Sequence, residues 1–163
     1  MKKYLLLLFV ATFSLSSCLK SGNDPYKDAQ DQLVKDEVII KKFIEDNKIP
    51  ALRHESGVYY QIINQGSGNY DYVSKSPTIT AKYKGQLLNG NIFDSSDSAV
   101  FPLSGVISGW KIGIPLIQKG GKIRLIIPSG YAYGTNGIKD NNGNTIIPSN
   151  SILDFNIELL DVK

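Results

Sequence analysis

The chain has 163 residues, with 18 lysines and arginines against 15 aspartates and glutamates, a formal charge of +3 at pH 7. One histidine, His54, and one cysteine, Cys18, leave too few parts for a Ser-His-Asp triad, a multi-histidine metal site or an internal disulfide. No basic block suggests nucleic acid, and Gln65-Gly66-Ser67-Gly68 matches neither a phosphate loop nor a dinucleotide fingerprint.

Residues 1–17 read as an export signal: Met1-Lys2-Lys3 is a positive start, and Tyr4 to Phe13 is an apolar run too short to span a bilayer. Leu15-Ser16-Ser17-Cys18 resembles the lipobox of bacterial lipoproteins. That resemblance implies a lipidated Cys18 as the mature N-terminus and an exported protein anchored in the cell envelope. Leu19 stands where some enteric lipoproteins carry an aspartate that retains them at the inner membrane, which favours the outer one. Removal of 1–17 loses Lys2 and Lys3 and no acid, taking the formal charge from +3 to +1. The remainder, about 145 residues, suits one domain.

Residues 18–30 are polar, contain Gly and Pro, and read as a tether. Across 31–50, Leu33, Val34, Val38, Ile40, Phe43 and Ile44 fall near a 3.6-residue period, predicting an amphipathic helix from about Gln30 to Asn47, ended by Ile49-Pro50. It could pack on the following domain or pair with a second copy, so a monomer and a dimer through this helix both stay open. His54, within Arg53-His54-Glu55-Ser56-Gly57, reads as a solvated linker residue.

In the domain over 51–163, the period changes to two from Gly57 onward. Val58, Tyr60 and Ile62 alternate, as do Ile79, Ala81, Tyr83 and Gly85, then Ile123, Leu125 and Ile127, and finally Leu153, Phe155, Ile157 and Leu159. These are half-buried antiparallel strands with a polar outer face. Asn89-Gly90 is a tight-turn signal. Between the strands, GWKIGIPLIQKGG is the one later helix candidate; Ile107, Trp110, Ile114 and Ile117 share a face, and Pro115 with Gly120-Gly121 keeps it short. The fold class is α+β: a twisted antiparallel sheet with one short helix across it, preceded by the N-terminal helix.

Several short motifs follow one another in order: Tyr83-Lys84-Gly85, Asn89-Gly90, Phe93-Asp94-Ser95-Ser96, Val106-Ile107-Ser108-Gly109-Trp110, Ile127-Pro128, Tyr131-Ala132-Tyr133-Gly134, Ile147-Pro148 and Leu153-Asp154-Phe155. Together they resemble the FKBP-type peptidylprolyl isomerases over roughly Gly57 to Lys163. The resemblance implies a sheet of five to six strands wrapped around one short helix, with an apolar pocket between them that receives a proline ring and has Trp110 as its floor. Tyr83, Phe93, Val106, Ile107 and Phe155 would line it, Asp94 would stand at the rim, and the Tyr133 hydroxyl and the Ile107 N–H would each hold a carbonyl. Ile147 would shape the far lip, and Phe101, nine residues before Trp110, resembles an aromatic wall of the exported bacterial branch. Catalytic roles then fall on Asp94, Tyr133 and Trp110. The implied partners are proline-containing polypeptides and macrolide inhibitors, with no metal or cofactor; a non-catalytic peptide-binding chaperone using the same pocket is the alternative.

Each of these residues also has a plain structural reading: Trp110 as core, Asp94 as a cap for Ser95-Ser96, Tyr133 as turn packing. The segment from Gly134 to Ile146 departs from the short members of the family by some five extra residues and has Ile138 where a histidine is often seen. Its Asn, Asp and Gly content predicts a mobile loop over the pocket.

Overall fold

A computed structural model of the chain describes residues 24–72 and 77–163. The export signal, Cys18 and the first part of the tether lie outside the described residues.

The first element is α1, Pro25–Asp46. It starts five residues before the helix expected from periodicity, so the end of the tether is helical. The reason is local: the Asp24 carboxylate accepts the Tyr26 N–H at 3.0 Å and Pro25 sits in the first turn, a start signal independent of apolar spacing. At the other end the Asn47 side-chain amide donates to the Phe43 carbonyl at 2.9 Å. The buried face carries Ile40 and Asp36, with Leu33, Phe43 and Ile44 half-buried. Val34 and Val38, expected on that face, are 63% and 65% exposed.

Six strands form one antiparallel sheet: β1 (Leu52–Arg53), β2 (Tyr59–Asn64), β3 (Thr78–Leu87), β4 (Ile92–Pro102), β5 (Lys122–Ile127) and the last long strand, Leu153–Val162. Two short strands, β6 (Ile138–Lys139) and β7 (Thr145–Ile147), pair separately, which makes Leu153–Val162 β8. The main sheet runs β1-β2-β5-β8-β3-β4. Asn89-Gly90 turns the chain between β3 and β4 as expected, with Gly90 at φ 89°. The short helix α2, Ser108–Gly113, packs against Leu125 and Ile127 of β5 and runs on into a single tight turn, Ile114–Leu116, that contains Pro115.

The main core forms where the sheet closes on α2. Ile79 and Ala81, Ile123, Leu125 and Ile127, and Leu153 and Leu159 are fully buried there with Ile114 and Ile117. The expected polar outer face is only partly observed. Tyr59 and Ile126 point outwards yet are buried, because α1 lies across β2 and β5 and closes a second apolar cluster with Ile40, Ile49 and Ile152. Ile62, expected inside, is 39% exposed near the end of β2, where the register with β5 shifts between Ile62 and Asn64. Asp154, also on the outer face, is completely buried and takes a bidentate bond from Arg124, Nε to Oδ1 at 2.9 Å and Nη2 to Oδ2 at 2.8 Å. The segment expected as a mobile loop contains the β6–β7 hairpin, whose turn is held by the Asp140 carboxylate accepting the N–H groups of Asn142 and Asn144.

Candidate active site

Adjacent strands β3, β4 and β8 each send aromatic side chains towards the start of α2. In the register, Gly85 on β3 lies opposite Asp94 on β4 and Phe155 on β8. A glycine is required there, since a Cβ would stand 2.5 Å from the Phe155 ring and 2.7 Å from that of Phe93. The two rings therefore close over bare backbone. On the α2 side, Gly109 lets the helix sit against Ile127, where a Cβ would meet the side chain at 2.5 Å, and this brings Trp110 down onto the rings.

Trp110 is 4% exposed and meets three rings edge to face: Tyr83 at 5.3 Å, Phe155 at 5.4 Å and Phe101 at 5.9 Å. Phe93 meets Phe155 in the same way at 5.5 Å. Such perpendicular pairs put the positive ring edge on the negative ring face and resist collapse into a flat stack. A cavity of about 250 Å³ remains, walled by Tyr83, Phe93, Phe101, Val106, Ile107 and Phe155 around the Trp110 floor, with Asp94, Gly105 and Tyr133 completing it. The Trp110 indole N–H is buried with no acceptor among the described residues. A buried donor left unpaired costs about 1–3 kcal/mol, a cost more often tolerated at functional sites than in plain core.

Polar groups stand apart from the rings. The Tyr83 hydroxyl donates to Asp94 Oδ2 at 2.7 Å. Burial, the bond to Asp94 and its negative charge push the Tyr83 phenol well above its usual range. The Tyr133 hydroxyl is raised too, by burial first and then by the Asp94 charge, so both phenols stay protonated as donors at neutral pH. Ile107 precedes α2, and its carbonyl accepts the N–H groups of Trp110 and Lys111. Its own N–H has no acceptor among the described residues.

Residues 70–160 of the sequence match the family described as FKBP-type peptidyl-prolyl cis-trans isomerase. The chain belongs to that family. It is 42% identical over 141 residues to the FKBP-type peptidyl-prolyl cis-trans isomerase FkpA of Buchnera aphidicola, spanning 84% of this chain and 52% of the relative. With FkpA of Escherichia coli K12 it shares 40% over 141 residues, 84% of this chain and 48% of the relative. The chain thus spans about half the length of the curated relatives it matches. Among solved structures, FkpA from Escherichia coli superposes with a TM-score of 0.66 at 39% identity, over 85% of this chain and 62% of that one. A peptidyl-prolyl cis-trans isomerase from Pseudomonas syringae gives 0.64 at 30% identity, over 87% of this chain and 98% of that one.

In this FKBP-type chain the fold brings together nine of the ten residues expected in the pocket. Ile147 is the exception: it is 3% exposed, paired with Ile138 in the β6–β7 hairpin and packed in the main core, so it does not form a lip of the cavity. Gly105 lines the cavity and went unnoticed in the sequence, since a glycine contributes only backbone and nothing in its spacing marks it. A larger hollow of about 440 Å³ is lined by both apolar and charged side chains, with Lys82 paired to Asp97 and Lys122 to Glu158. These exposed pairs contribute little to affinity or stability, and of the aromatic rings around Trp110 only Tyr83 borders this hollow.

Proposed function

We propose that the chain is a peptidyl-prolyl cis-trans isomerase that binds the proline ring of an extended polypeptide in the cavity over Trp110. The observation that carries this reading is the cavity itself, with rings edge-on around an aromatic floor and Asp94 and Tyr133 in its lining. Rotation about an Xaa-Pro bond must overcome amide resonance, a barrier of about 18–20 kcal/mol, and it makes or breaks no covalent bond. A twisted amide is less dipolar than a planar one, so a water-free pocket favours the transition state over the ground state. The Tyr133 hydroxyl and the Ile107 N–H are the donors offered to the carbonyls flanking the proline, fixing the peptide in a turn while the imide rotates. Asp94, held by Tyr83, fixes the orientation of that phenol and presents a negative charge at the rim.

The test is NMR exchange spectroscopy on an Xaa-Pro peptide with the full chain. Accelerated cis-trans exchange, lost in Trp110→Ala, is expected. Binding without acceleration would turn the reading into that of a peptide-binding chaperone.

The same reading places the protein outside the cytoplasm, tethered by lipid at Cys18 and facing unfolded exported chains. The lipobox-like Leu15-Ser16-Ser17-Cys18 supports this, and Leu19 favours the outer membrane. Cys18→Ala is expected to release the protein from the membrane fraction; continued membrane association contradicts the anchor. The exposed Val34, Val38 and Ile39 on α1 support pairing with a second copy through that helix, read by sedimentation of the full chain.

A further inference from the structure

One buried carboxylate has no part in the mechanism above. Asp36, in the middle of α1, is 1% exposed. Its Oδ2 accepts both the backbone N–H of Ser129 at 2.7 Å and the Ser129 hydroxyl at 2.6 Å, a contact across 93 residues of sequence. Its Oδ1 accepts the Gln32 side-chain amide at 2.8 Å. No cation pairs with Asp36 among the described residues. A charge buried on neutral donors alone is an expensive way to dock a helix; an apolar side chain would serve for packing. What the carboxylate adds is direction.

Ser129 is the residue on which the Tyr133 segment turns. It is fully buried, and its carbonyl accepts the N–H of Ala132 at 3.0 Å and that of Gly134 at 2.9 Å. Both neighbours of Tyr133 are thus tied to one carbonyl. Gly134 is tied in turn to the turn that precedes β8, its carbonyl accepting the Asn150 N–H at 2.8 Å. Tyr133 itself sits between these anchors and reaches the cavity.

Resting on the isomerase reading, we propose that Asp36 is a positioning residue for catalysis: from α1 it holds Ser129, and through Ser129 it sets the Tyr133 hydroxyl at the rim. The N-terminal helix is then part of the catalytic unit, and displacement of α1 changes the site although α1 contributes no wall to the cavity. The three charge-assisted bonds to one side chain give the link its stiffness.

The test is a double-mutant cycle on the full chain, followed on an Xaa-Pro peptide by NMR exchange. Asp36→Ala is expected to lower kcat about tenfold with KM little changed, the scale of a small misplacement in a site that works by orientation. Asp36→Asn, whose amide oxygen can still accept from Ser129, restores most of kcat. In a Tyr133→Ala background, Asp36→Ala costs less than about twofold more, because residues acting as a unit are not additive. Effects that multiply independently, or an unchanged kcat in Asp36→Ala, overturn the proposal. If Asp36→Ala does not fold, Ser129→Ala carries the same cycle, with an expected loss of about threefold. The amide signals of Ala132, Tyr133 and Gly134 give a second readout that needs no turnover, and they move in the Asp36 or Ser129 variant. If they move while the parent chain fails to accelerate exchange, the isomerase reading is lost and the link stands; if they stay in place, the link is lost whatever the rate.

Discussion

Gly85→Ala tests how tightly the aromatic wall is built. Replacing a strand glycine by alanine normally stabilises by about 0.4–1 kcal/mol, because the unfolded chain has less freedom to lose. Gly85 has no left-handed backbone to forbid the change. The obstacle is space: the new Cβ would lie 2.5 Å from Phe155 Cε1 and 2.7 Å from Phe93 Cζ, where ordinary contact starts at 3.4 Å. The Phe155 ring would have to retreat by the difference, 0.9 Å. It cannot do so freely, being wedged edge-on between Phe93 and Trp110. Overpacking of this kind costs about 1–3 kcal/mol, which exceeds the entropic gain. The expected result is a net loss of about 1–2 kcal/mol in denaturant unfolding, or about 2–4 °C in Tm for each kcal/mol in a chain of this size. Gly130→Ala is the control, since its Cβ would meet nothing within 4 Å and the change should be neutral or slightly stabilising. A Gly85→Ala protein as stable as the parent would falsify the packing argument.

Further expectations concern charge, protonation and the pocket floor. Arg124→Ala strips the guanidinium from the fully buried Asp154, leaving only the Gln86 amide on it, and is expected to cost about 3–5 kcal/mol in urea unfolding; a loss under 1 kcal/mol contradicts this. Burial pushes the Tyr72 phenol from its ordinary value of 10 up to about 12, while its hydroxyl donates to the Ile117 carbonyl. A raised phenol pKa favours the neutral form in the fold, so its contribution is complete below pH 10 and is lost as pH rises towards 12. Stability followed through that window should fall together with phenolate formation, and Tyr72→Phe should remove part of the slope; a level curve refutes the assignment. Because rotation transfers no proton and both rim phenols stay protonated, kcat/KM should be flat between about pH 6 and 9, whereas a bell-shaped profile would reveal acid–base chemistry that the account lacks. Trp110→Leu should destabilise by about 2–4 kcal/mol and abolish peptide binding, read by unfolding and by peptide titration.

Periodicity carried most of the fold. Strands β3, β5 and β8 send alternate residues into the closed core, and Ile79, Ile123, Leu125 and Leu159 are fully buried as their spacing implies. Period-two reasoning assigns only one inside, so it does not reveal the second buried face of the sheet, where Tyr59 and Ile126 lie beneath α1. The early start of α1 escaped notice because Tyr26 to Gln30 carries no apolar stripe, and the start is set by a capping bond instead. The pocket residues were recognised from the order of motifs, since no periodicity separates a cavity wall such as Phe93 from ordinary core. Ile147 lies in the β6–β7 hairpin opposite Ile138, a pairing that the Ile147-Pro148 motif by itself does not reveal. Asp36 was unreadable, because an acid at mid-helix looks solvated until the fold brings Ser129 to it.

The sequence contains one tryptophan, so the protein has one indole N–H signal, and it reports from the pocket floor. Titrating an Xaa-Pro peptide into the full chain while following that signal and the peptide's cis-trans exchange in the same samples tests the central claim directly. The account predicts a saturable shift of the indole signal that tracks the acceleration of exchange, both disappearing when the proline is replaced by alanine. Accelerated exchange with an unmoved indole signal would place catalysis elsewhere, and a shift without acceleration would leave the cavity as a binding site only.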